Sequence, residues 1–307
     1  MKVAILDLGT NVFNLLIARI SKDKCDIRKV VKIPSQIGSG GFAKGYLDEL
    51  AIESSMEAMS DIMHEIEANS RVDLIKAFAT SAVRDAKNGK NFTAEIKAKF
   101  GVDVEIISGE REAELIYKGI RESILLYNEK VLMCDIGGGS NELIIADKEQ
   151  IYWKESFNLG VVRMKEIFNP SDPMKDTEIE DINVFLEASL KNLWTACREH
   201  NPKLMIGSSG SFDTLRELLN PDDEGTLPAM QLDINKLTDL HNKLLLSTKD
   251  DRMQMKGMSP IRVDYMVLGS IFVQLVIKKS NIEELYQSSY SLKEGFMAEI
   301  AESLNKT

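Results

Sequence analysis

The sequence predicts an α/β protein built from two related domains with a cleft between them. Its 307 residues suit two domains of about 150 residues each. Short apolar runs typical of strands alternate with longer stretches whose apolar residues recur at helical spacing. A pattern of strand, aspartate, apolar residue, glycine, hydroxyl residue, asparagine and strand occurs at Asp7 and again at Asp135. Both halves are therefore expected to begin with the same hairpin.

The first domain is expected to span residues 1–127. Apolar runs predict its strands over residues 3–6, 13–20, 25–33, 73–80 and 102–107. Helical spacing predicts its helices over residues 47–68, 92–100 and 108–126. Gly101 is placed to end the second of these helices, and Ser108 is placed to cap the third.

The second domain is expected to span residues 128–291. Its strands are predicted over residues 131–134, 143–146, 151–157 and 204–206. Its helices are predicted over residues 161–168, 177–200, 212–219, 234–246 and 265–278, and a last amphipathic helix over residues 292–304. No low-complexity linker separates the halves, so the boundary is expected to be a hinge.

Charge and cysteine content limit the functions that the chain can have. The net charge of −10 argues against a general nucleic-acid binder and requires that any anion site be built locally. The widely spaced Cys25, Cys134 and Cys197 are expected to be buried and reduced. Because no targeting segment and no apolar stretch of membrane-spanning length occurs, we expect a cytoplasmic protein without a membrane partner.

Three loops rich in glycine and hydroxyl residues follow predicted strands. Glycine lets the backbone approach closely and point successive N–H groups at an anion, and a helix N-terminus after the third loop would favour phosphate. One such loop alone is typical of a tight turn, but three loops with the half-chain repeat favour a phosphate-binding cleft between the domains. The loops contain Gly9, Thr10 and Asn11; Gly137, Gly138, Gly139 and Ser140; and Gly207, Ser208, Ser209 and Gly210.

Acidic side chains beside these loops are candidates for metal binding and catalysis. Asp7 and Asp135 each end a strand, where a carboxylate can hold Mg²⁺ at a phosphate or simply cap a turn. Glu112 and Glu142 are candidates for orienting an attacking water. The alternatives are that Glu112 decorates a helix start and that Glu142 is an exposed strand residue. Spacing alone does not choose between them.

Arg84 follows a predicted strand and is the candidate cation. A guanidinium makes bidentate contacts with phosphate and stabilises charge that develops on a transferring phosphoryl group. The alternative is an ion pair with Asp85 or another neighbour. The sequence has no Walker loop, and its three scattered histidines do not suggest a zinc site.

Several segments together resemble one enzyme family. They are the two aspartate–glycine loops and residues 79–86, 105–113, 158–163, 207–210 and 291–295. The chain resembles the exopolyphosphatase/guanosine pentaphosphate phosphohydrolase (Ppx/GppA) family, within the acetate kinase, sugar kinase, Hsp70 and actin superfamily. The resemblance implies two actin-like (ribonuclease H-like) domains and a final helix, residues 292–307, that packs on the first domain.

The resemblance also implies a reaction and roles for the candidate residues. It implies Mg²⁺-dependent hydrolysis of the terminal phosphoanhydride of inorganic polyphosphate, with release of orthophosphate. Glu112 matches the family's base toward water, and Arg84 matches an arginine at the scissile phosphate. Asp135 and Glu142 match acidic residues associated with Mg²⁺ and the reacting phosphate, and Asp7 matches the aspartate of the first loop. The three glycine loops match the phosphate-binding loops.

The sequence departs from the family pattern at two positions and leaves other functions open. Asn14 and Gln36 stand where the family often has a cation, and the chain resembles the short two-domain form, so we expect short phosphate chains to be preferred. The nearest alternative is a guanosine pentaphosphate (pppGpp) 5′-phosphohydrolase. More distant alternatives are an ATP-dependent kinase and a non-catalytic actin-like protein. A homodimer is one assembly that the sequence leaves open.

Overall fold

A computed structural model describes residues 1–22, 24–42, 44–69 and 72–305; the last two residues of the predicted final helix lie outside these ranges. Within them, the strands are β1 (Lys2–Leu8), β2 (Val12–Ile20), β3 (Cys25–Pro34), β4 (Leu74–Ala79), β5 (Val104–Ile106), β6 (Val131–Ile136), β7 (Asn141–Ala146), β8 (Ile151–Phe157), β9 (Leu204–Ser208), β10 (Ala229–Leu232) and β11 (Glu284–Ser288).

The helices of the described residues alternate with these strands. They are α1 (Glu49–Ala68), α2 (Ser81–Asp85), α3 (Gly89–Phe100), α4 (Gly109–Ser123), α5 (Val161–Phe168), α6 (Asp176–Ser189), α7 (Lys191–His200), α8 (Ser209–Leu219), α9 (Ile234–Leu246), α10 (Lys249–Met253), α11 (Met266–Ser280) and α12 (Leu292–Asn305). None of them is long and apolar enough to cross a membrane.

The chain divides into two units, and the first comprises Met1–Glu122 together with the segment from Ser291. Its sheet has the order β3-β2-β1-β4-β5, with antiparallel pairing among the first three strands and parallel pairing from β1 to β4 and β5. Apolar side chains of α1 and α3 pack with those of β1, β2 and β4 in one core. That core fixes the sheet edge at which β1 and β4 end.

The last helix, α12, packs within this first unit. The rings of Phe78 in β4 and Phe296 in α12 meet edge to face, with centroids 4.4 Å apart. A Cβ at Gly119 would lie 1.9 Å from the backbone oxygen of Ser291, and a Cβ at Gly295 would lie 1.7 Å from that of Leu115. Glycine is therefore required at both positions for α4 and α12 to approach so closely.

The second unit, Ser123–Tyr290, repeats the topology of the first. Its sheet has the order β10-β11-β9-β6-β7-β8, with β6, β7 and β8 antiparallel and β6, β9 and β11 parallel. From β8 to β11 this is the order of the first sheet, and β10 is an additional antiparallel edge strand. The predicted repeat is therefore confirmed. The central helix α11 is buried on almost every side, which explains its nearly unbroken apolar sequence.

Several predicted elements need correction. The predicted helix over residues 177–200 is two helices, because the chain leaves helical geometry at Leu190 between α6 and α7. Helix α4 ends at Ser123, earlier than expected, and α8 begins at Ser209 rather than at residue 212. The sequence reasoning missed α2, α10, β10 and β11, all of which are five residues or shorter. Cys25 is only partly buried, unlike the other two cysteines.

Candidate active site

The first glycine loop joins β1 to β2 at the end of the first sheet. The turn is so tight that a Cβ at Gly9 would lie 2.8 Å from the backbone oxygen of Val12. The buried Thr10 hydroxyl lies 3.1 Å from that of Ser81, which begins α2. The backbone oxygen of the buried Asn11 accepts hydrogen bonds from the N–H groups of residues 35 and 36. The predicted phosphate loop is thus a fixed hairpin tip beside α2.

Arg84 and Glu112, predicted separately from distant segments, meet directly. Arg84 lies in α2, and Glu112 lies in the first turn of α4 with 8% of its surface exposed. The Arg84 Nη1 atom donates to Glu112 Oε2 at 3.0 Å and to the backbone oxygen of Ile107 at 3.2 Å. Its Nε lies 3.6 Å from Asp85 Oδ1. The ion-pair interpretation of Arg84 is therefore confirmed, with the candidate base as its main partner.

The burial of Glu112 excludes the interpretation that it merely decorates the start of a helix. A carboxylate taken out of water needs a partner, and the guanidinium of Arg84 supplies one. The sequence folds this way locally because Ser108 begins α4: its hydroxyl accepts a hydrogen bond from the Arg111 N–H at 3.2 Å. The predicted capping position of Ser108 is confirmed.

The second glycine loop joins β6 to β7 and is held by the start of α5. The backbone oxygen of Gly137 accepts from the N–H of Val161, and that of Gly138 accepts from the N–H groups of Val162 and Arg163, at 2.9–3.1 Å. The loop carbonyls therefore accept the hydrogen bonds of the first N–H groups of α5, which have no partner within the helix. Within the described part of the chain, the N–H groups of Gly138 and Gly139 donate no hydrogen bond. Donors of this kind are what a phosphate oxygen requires.

Asp135 ends β6, and the carboxylate is almost fully buried. Its Oδ2 atom accepts hydrogen bonds from the hydroxyls of Ser208 and Ser209, both at 2.7 Å. The third glycine loop is thereby fastened to the aspartate of the second. Burial, together with the charges of Asp135 and Glu142, raises the pKa of the Cys134 thiol well above its ordinary value, which reflects the negative charge gathered here.

Glu142 lies in β7 with 1% of its surface exposed. The alternative that Glu142 is merely an exposed strand residue is therefore wrong. Its Oε1 atom accepts from the hydroxyls of Ser140 and Ser156, at 2.8 and 2.7 Å. In the β6–β7 ladder Glu142 is the partner of Asp135. The two carboxylates therefore belong to one local site in the second unit.

The repeat places Asn14 in the first unit where Glu142 stands in the second. Asp7 pairs with Asn14 in the β1–β2 ladder, as Asp135 pairs with Glu142. The Asn14 Nδ2 atom donates to Asp7 Oδ2 at 2.9 Å. The departure of Asn14 from the family pattern thus has a local role: it hydrogen-bonds an aspartate. Only the second unit has two carboxylates at this position.

The third glycine loop leads directly into α8. Ser208 is the last residue of β9 and Ser209 begins the helix, with φ at +68°, a left-handed conformation that is costly for a residue with a side chain. A Cβ at Gly210 would lie 1.4 Å from Nη2 of Arg262, so the guanidinium rests directly on this glycine. The buried position lowers the pKa of Arg262, whereas the nearby carboxylates oppose that shift.

Arg262 is a candidate site residue that the sequence reasoning missed. It lies in the turn between α10 and α11, far along the chain from the loop that it contacts. Asp213, Glu217 and Asp135 all favour its protonated form. Its one sequence signal is an arginine four residues before a largely apolar helix, which is too common a pattern to identify a site.

The residues present suit a magnesium ion at the second glycine loop. Mg²⁺ takes hard oxygen ligands, commonly one or two carboxylates together with water and phosphate oxygens. Asp135 and Glu142 provide such carboxylates on neighbouring strands. Among the described residues, no three His, Cys, Asp or Glu side chains are grouped as metal ligands. The donor chemistry therefore fits a two-carboxylate site, which needs substrate and water oxygens to complete it.

Comparisons with known proteins agree with this fold. Residues 17–304 match the model of the Ppx/GppA phosphatase family, and the chain belongs to that family. The crystal structure of an exopolyphosphatase from Cytophaga hutchinsonii is 31% identical, with a TM-score of 0.95 and 99% of each chain covered. Exopolyphosphatase 1 of Mycobacterium tuberculosis is 26% identical over 309 residues, which cover 97% of this chain and 87% of that protein. A Ppx/GppA family member from Aquifex aeolicus has a TM-score of 0.80 at 25% identity, over 99% of this chain and 98% of that one.

The resemblance inferred from the sequence motifs is therefore confirmed. The α/β fold class is confirmed as well: both units share the same order of five strands, and the fold matches that of the Cytophaga hutchinsonii exopolyphosphatase.

Proposed function

We propose that the protein is an exopolyphosphatase that hydrolyses the terminal phosphoanhydride of inorganic polyphosphate and releases orthophosphate, with Mg²⁺ as cofactor. The observation that supports this most directly is the ion pair of the buried Glu112 with the partly buried Arg84. Such a pair provides a carboxylate to orient water and a cation for the reacting phosphate. Relatives named exopolyphosphatase support the same substrate.

In the proposed mechanism Glu112 orients the attacking water and accepts its proton as the new P–O bond forms. Arg84 holds the Glu112 carboxylate in place through Nη1, so the base does not have to be ordered when substrate arrives. A guanidinium has five N–H donors, so Arg84 can bind a phosphate oxygen in addition to Glu112. The shortened polyphosphate chain is the leaving group.

The second unit has groups of its own that suit the stabilisation of negative charge on phosphate. The N–H groups of Gly138 and Gly139 would donate to phosphate oxygens, where negative charge develops during transfer. Asp135 and Glu142 would hold Mg²⁺, which supplies neutralisation of the phosphate charges. Ser208, Ser209, Ser140 and Ser156 hold these two carboxylates in position by their hydroxyl hydrogen bonds.

Replacement of Glu112 tests the proposal. Glu112→Gln preserves side-chain volume but removes the proton acceptor, so we expect phosphate release from polyphosphate to fall by at least about 100-fold, the usual value of a general base. Glu110→Gln is the matched control, because Glu110 is an exposed residue in the same turn of α4. We expect Glu110→Gln to unfold at the wild-type temperature, and Glu112→Gln to unfold somewhat lower but to stay folded under assay conditions, because Arg84 loses its ion-pair partner.

The assay should cover polyphosphates of several lengths and pppGpp, each with and without Mg²⁺. Orthophosphate release from polyphosphate that depends on Mg²⁺ and on Glu112 would establish the function. Faster release from pppGpp would instead favour the nucleotide phosphohydrolase. Wild-type activity in Glu112→Gln would exclude the assigned role of the base.

A further inference from the structure

Gln287 in β11 joins two charged side chains of α8. It is 1% exposed and pairs in the β9–β11 ladder with Gly207, the first residue of the third glycine loop. Its Oε1 atom accepts from Arg216 Nη1 at 2.9 Å, and its Nε2 atom donates to Asp213 Oδ1 at 2.8 Å. A buried carboxamide is thus shared between a cation and an anion.

Arg216 fixes one end of this arrangement. It is 4% exposed, its Nε donates to Asp223 Oδ2 at 2.6 Å, and its Nη1 also donates to the backbone oxygen of Leu227 at 2.9 Å. Because its charge is balanced by Asp223, Arg216 is an anchor. A guanidinium can only donate and an ionised carboxylate can only accept, so the orientation of the Gln287 amide is determined by its two partners.

Asp213 links this network to the candidate site. It is the strongest of the three carboxylates that favour the charged form of Arg262. The Arg262 guanidinium in turn lies against Gly210, the end of the third glycine loop. Hydrogen bonds therefore join Arg216, Gln287 and Asp213. Asp213 follows Gly210 by one turn of α8 and supplies negative charge near the guanidinium that rests on that glycine.

We propose that Gln287 is a positioning residue, which holds Asp213 so that the Arg262 guanidinium stays over Gly210 and can contact a substrate phosphate. This inference rests on the proposed function. Glutamine suits the position because it presents an acceptor to Arg216 and a donor to Asp213 at once. An ionised glutamate has no donor, and an apolar residue has neither group.

Gln287→Glu is the informative variant because it keeps the volume and the pairing with Arg216. It places a second carboxylate 2.8 Å from Asp213, which must then turn away from its present position. Arg262 then loses a nearby carboxylate that is held in a fixed place, and substrate binding should weaken while the chemistry is retained. We expect KM for tripolyphosphate to rise by about tenfold, the equivalent of one lost charge-assisted hydrogen bond, with kcat nearly unchanged.

A double-mutant cycle separates positioning from a structural effect. In an Arg262→Ala protein, Gln287→Glu should change KM no further, because the residue through which it acts is gone. If Arg262→Ala does not fold, Arg262→Gln, which also removes the charge, replaces it in the cycle. Gln274→Glu is the matched control: it makes the same charge change in α11, where Gln274 Nε2 donates to the Thr238 hydroxyl at 3.3 Å.

The outcomes are distinct. A wild-type KM in Gln287→Glu, or an equal rise of KM in the presence and absence of Arg262, would overturn the inference. The inference would also be overturned if the loss of activity in Gln287→Glu disappeared once activity was normalised to the folded fraction of the protein. If the wild type releases no phosphate from any polyphosphate, the proposed function fails, and calorimetric binding of tripolyphosphate to the same variants still tests the network. Equal affinities of the wild type and Gln287→Glu would then refute it.

Discussion

Gly160 provides a test of whether the second glycine loop must keep its exact backbone position. The residue precedes α5, whose first N–H groups bind the carbonyls of Gly137 and Gly138. A Cβ at residue 160 would lie 2.4 Å from the carbonyl carbon and oxygen of Gly138 and from the nitrogen of Gly139. Gly160→Ala therefore pushes on the loop itself, and backbone atoms cannot rotate away as a side chain can.

The size of the displacement follows from these distances. Ordinary contact with a Cβ begins at 3.4 Å, so the loop and the start of α5 have to separate by about 1 Å. Overpacking of this kind costs about 1–3 kcal/mol of unfolding free energy. A misplacement of about 1 Å in a catalytic group can lower the rate by about 100-fold. We therefore expect a folded but nearly inactive enzyme.

The measurement is orthophosphate release from polyphosphate by Gly160→Ala, together with its thermal unfolding. Gly269→Ala is the control, because a Cβ there meets its nearest neighbour, the Ser211 hydroxyl, at 3.4 Å. That substitution lies in α11 and should be neutral or stabilise the helix by up to about 1 kcal/mol. If Gly160→Ala retains more than half of the wild-type rate, the loop position does not matter as argued.

Two further predictions concern local energetics. Hydrogen bonds from Ser171 and Lys175 lower the pKa of Glu178 from 4.5 to about 2. The contribution of these hydrogen bonds to the stability of the folded protein is therefore complete above pH 4.5 and is lost as the pH falls through about 2. Carbon-13 NMR titration should give that midpoint, and a midpoint near 4.5 would contradict the contacts. In urea unfolding, Ser209→Ala should be less stable than Ser209→Gly by about 1 kcal/mol, because glycine adopts the left-handed backbone conformation of this position without strain. The opposite order of stability would exclude backbone strain at this residue.

The sequence was sufficient to predict the parts of the fold that depend on local pattern. The two aspartate hairpins have apolar runs and glycine turns within a few residues of one another, so their pairing is determined locally. Helices α1, α5 and α9 were predicted within two residues of their ends because their apolar spacing is regular. Gly101 ends α3 in the left-handed conformation that its position suggested.

The missed elements depend on contacts that are distant in the sequence. Strand β11 contains the buried polar residues Gln287 and Ser288, which do not give an alternating apolar pattern. It becomes a strand because it pairs with β9, about 80 residues earlier in the chain. Arg262 was missed for the same reason: its contact with Gly210 exists only in the folded second unit. A local pattern cannot report such a contact.

The same distinction applies to the candidate site. The glycine loops and their aspartates are local motifs, and each was found from the sequence. The contact of Arg84 with Glu112 joins two motifs that were identified separately, and only the fold shows that they meet. Ser156, which holds Glu142, lies on β8 and has no motif of its own. The residues proposed to act on substrate were therefore easier to find in the sequence than those that hold them.

The repeat itself explains why the two units are proposed to have different tasks. Both contain the hairpin that ends in an aspartate, but Asp7 faces Asn14 and Asp135 faces Glu142. An amide neutralises no cation, so a magnesium site is expected only where two carboxylates are paired. The first unit has instead the buried Glu112 paired with the partly buried Arg84, which is suited to activating water. The protein has a net charge of −10, so its surface as a whole repels a polyanionic substrate. Binding of such a substrate must therefore depend on local groups of this kind.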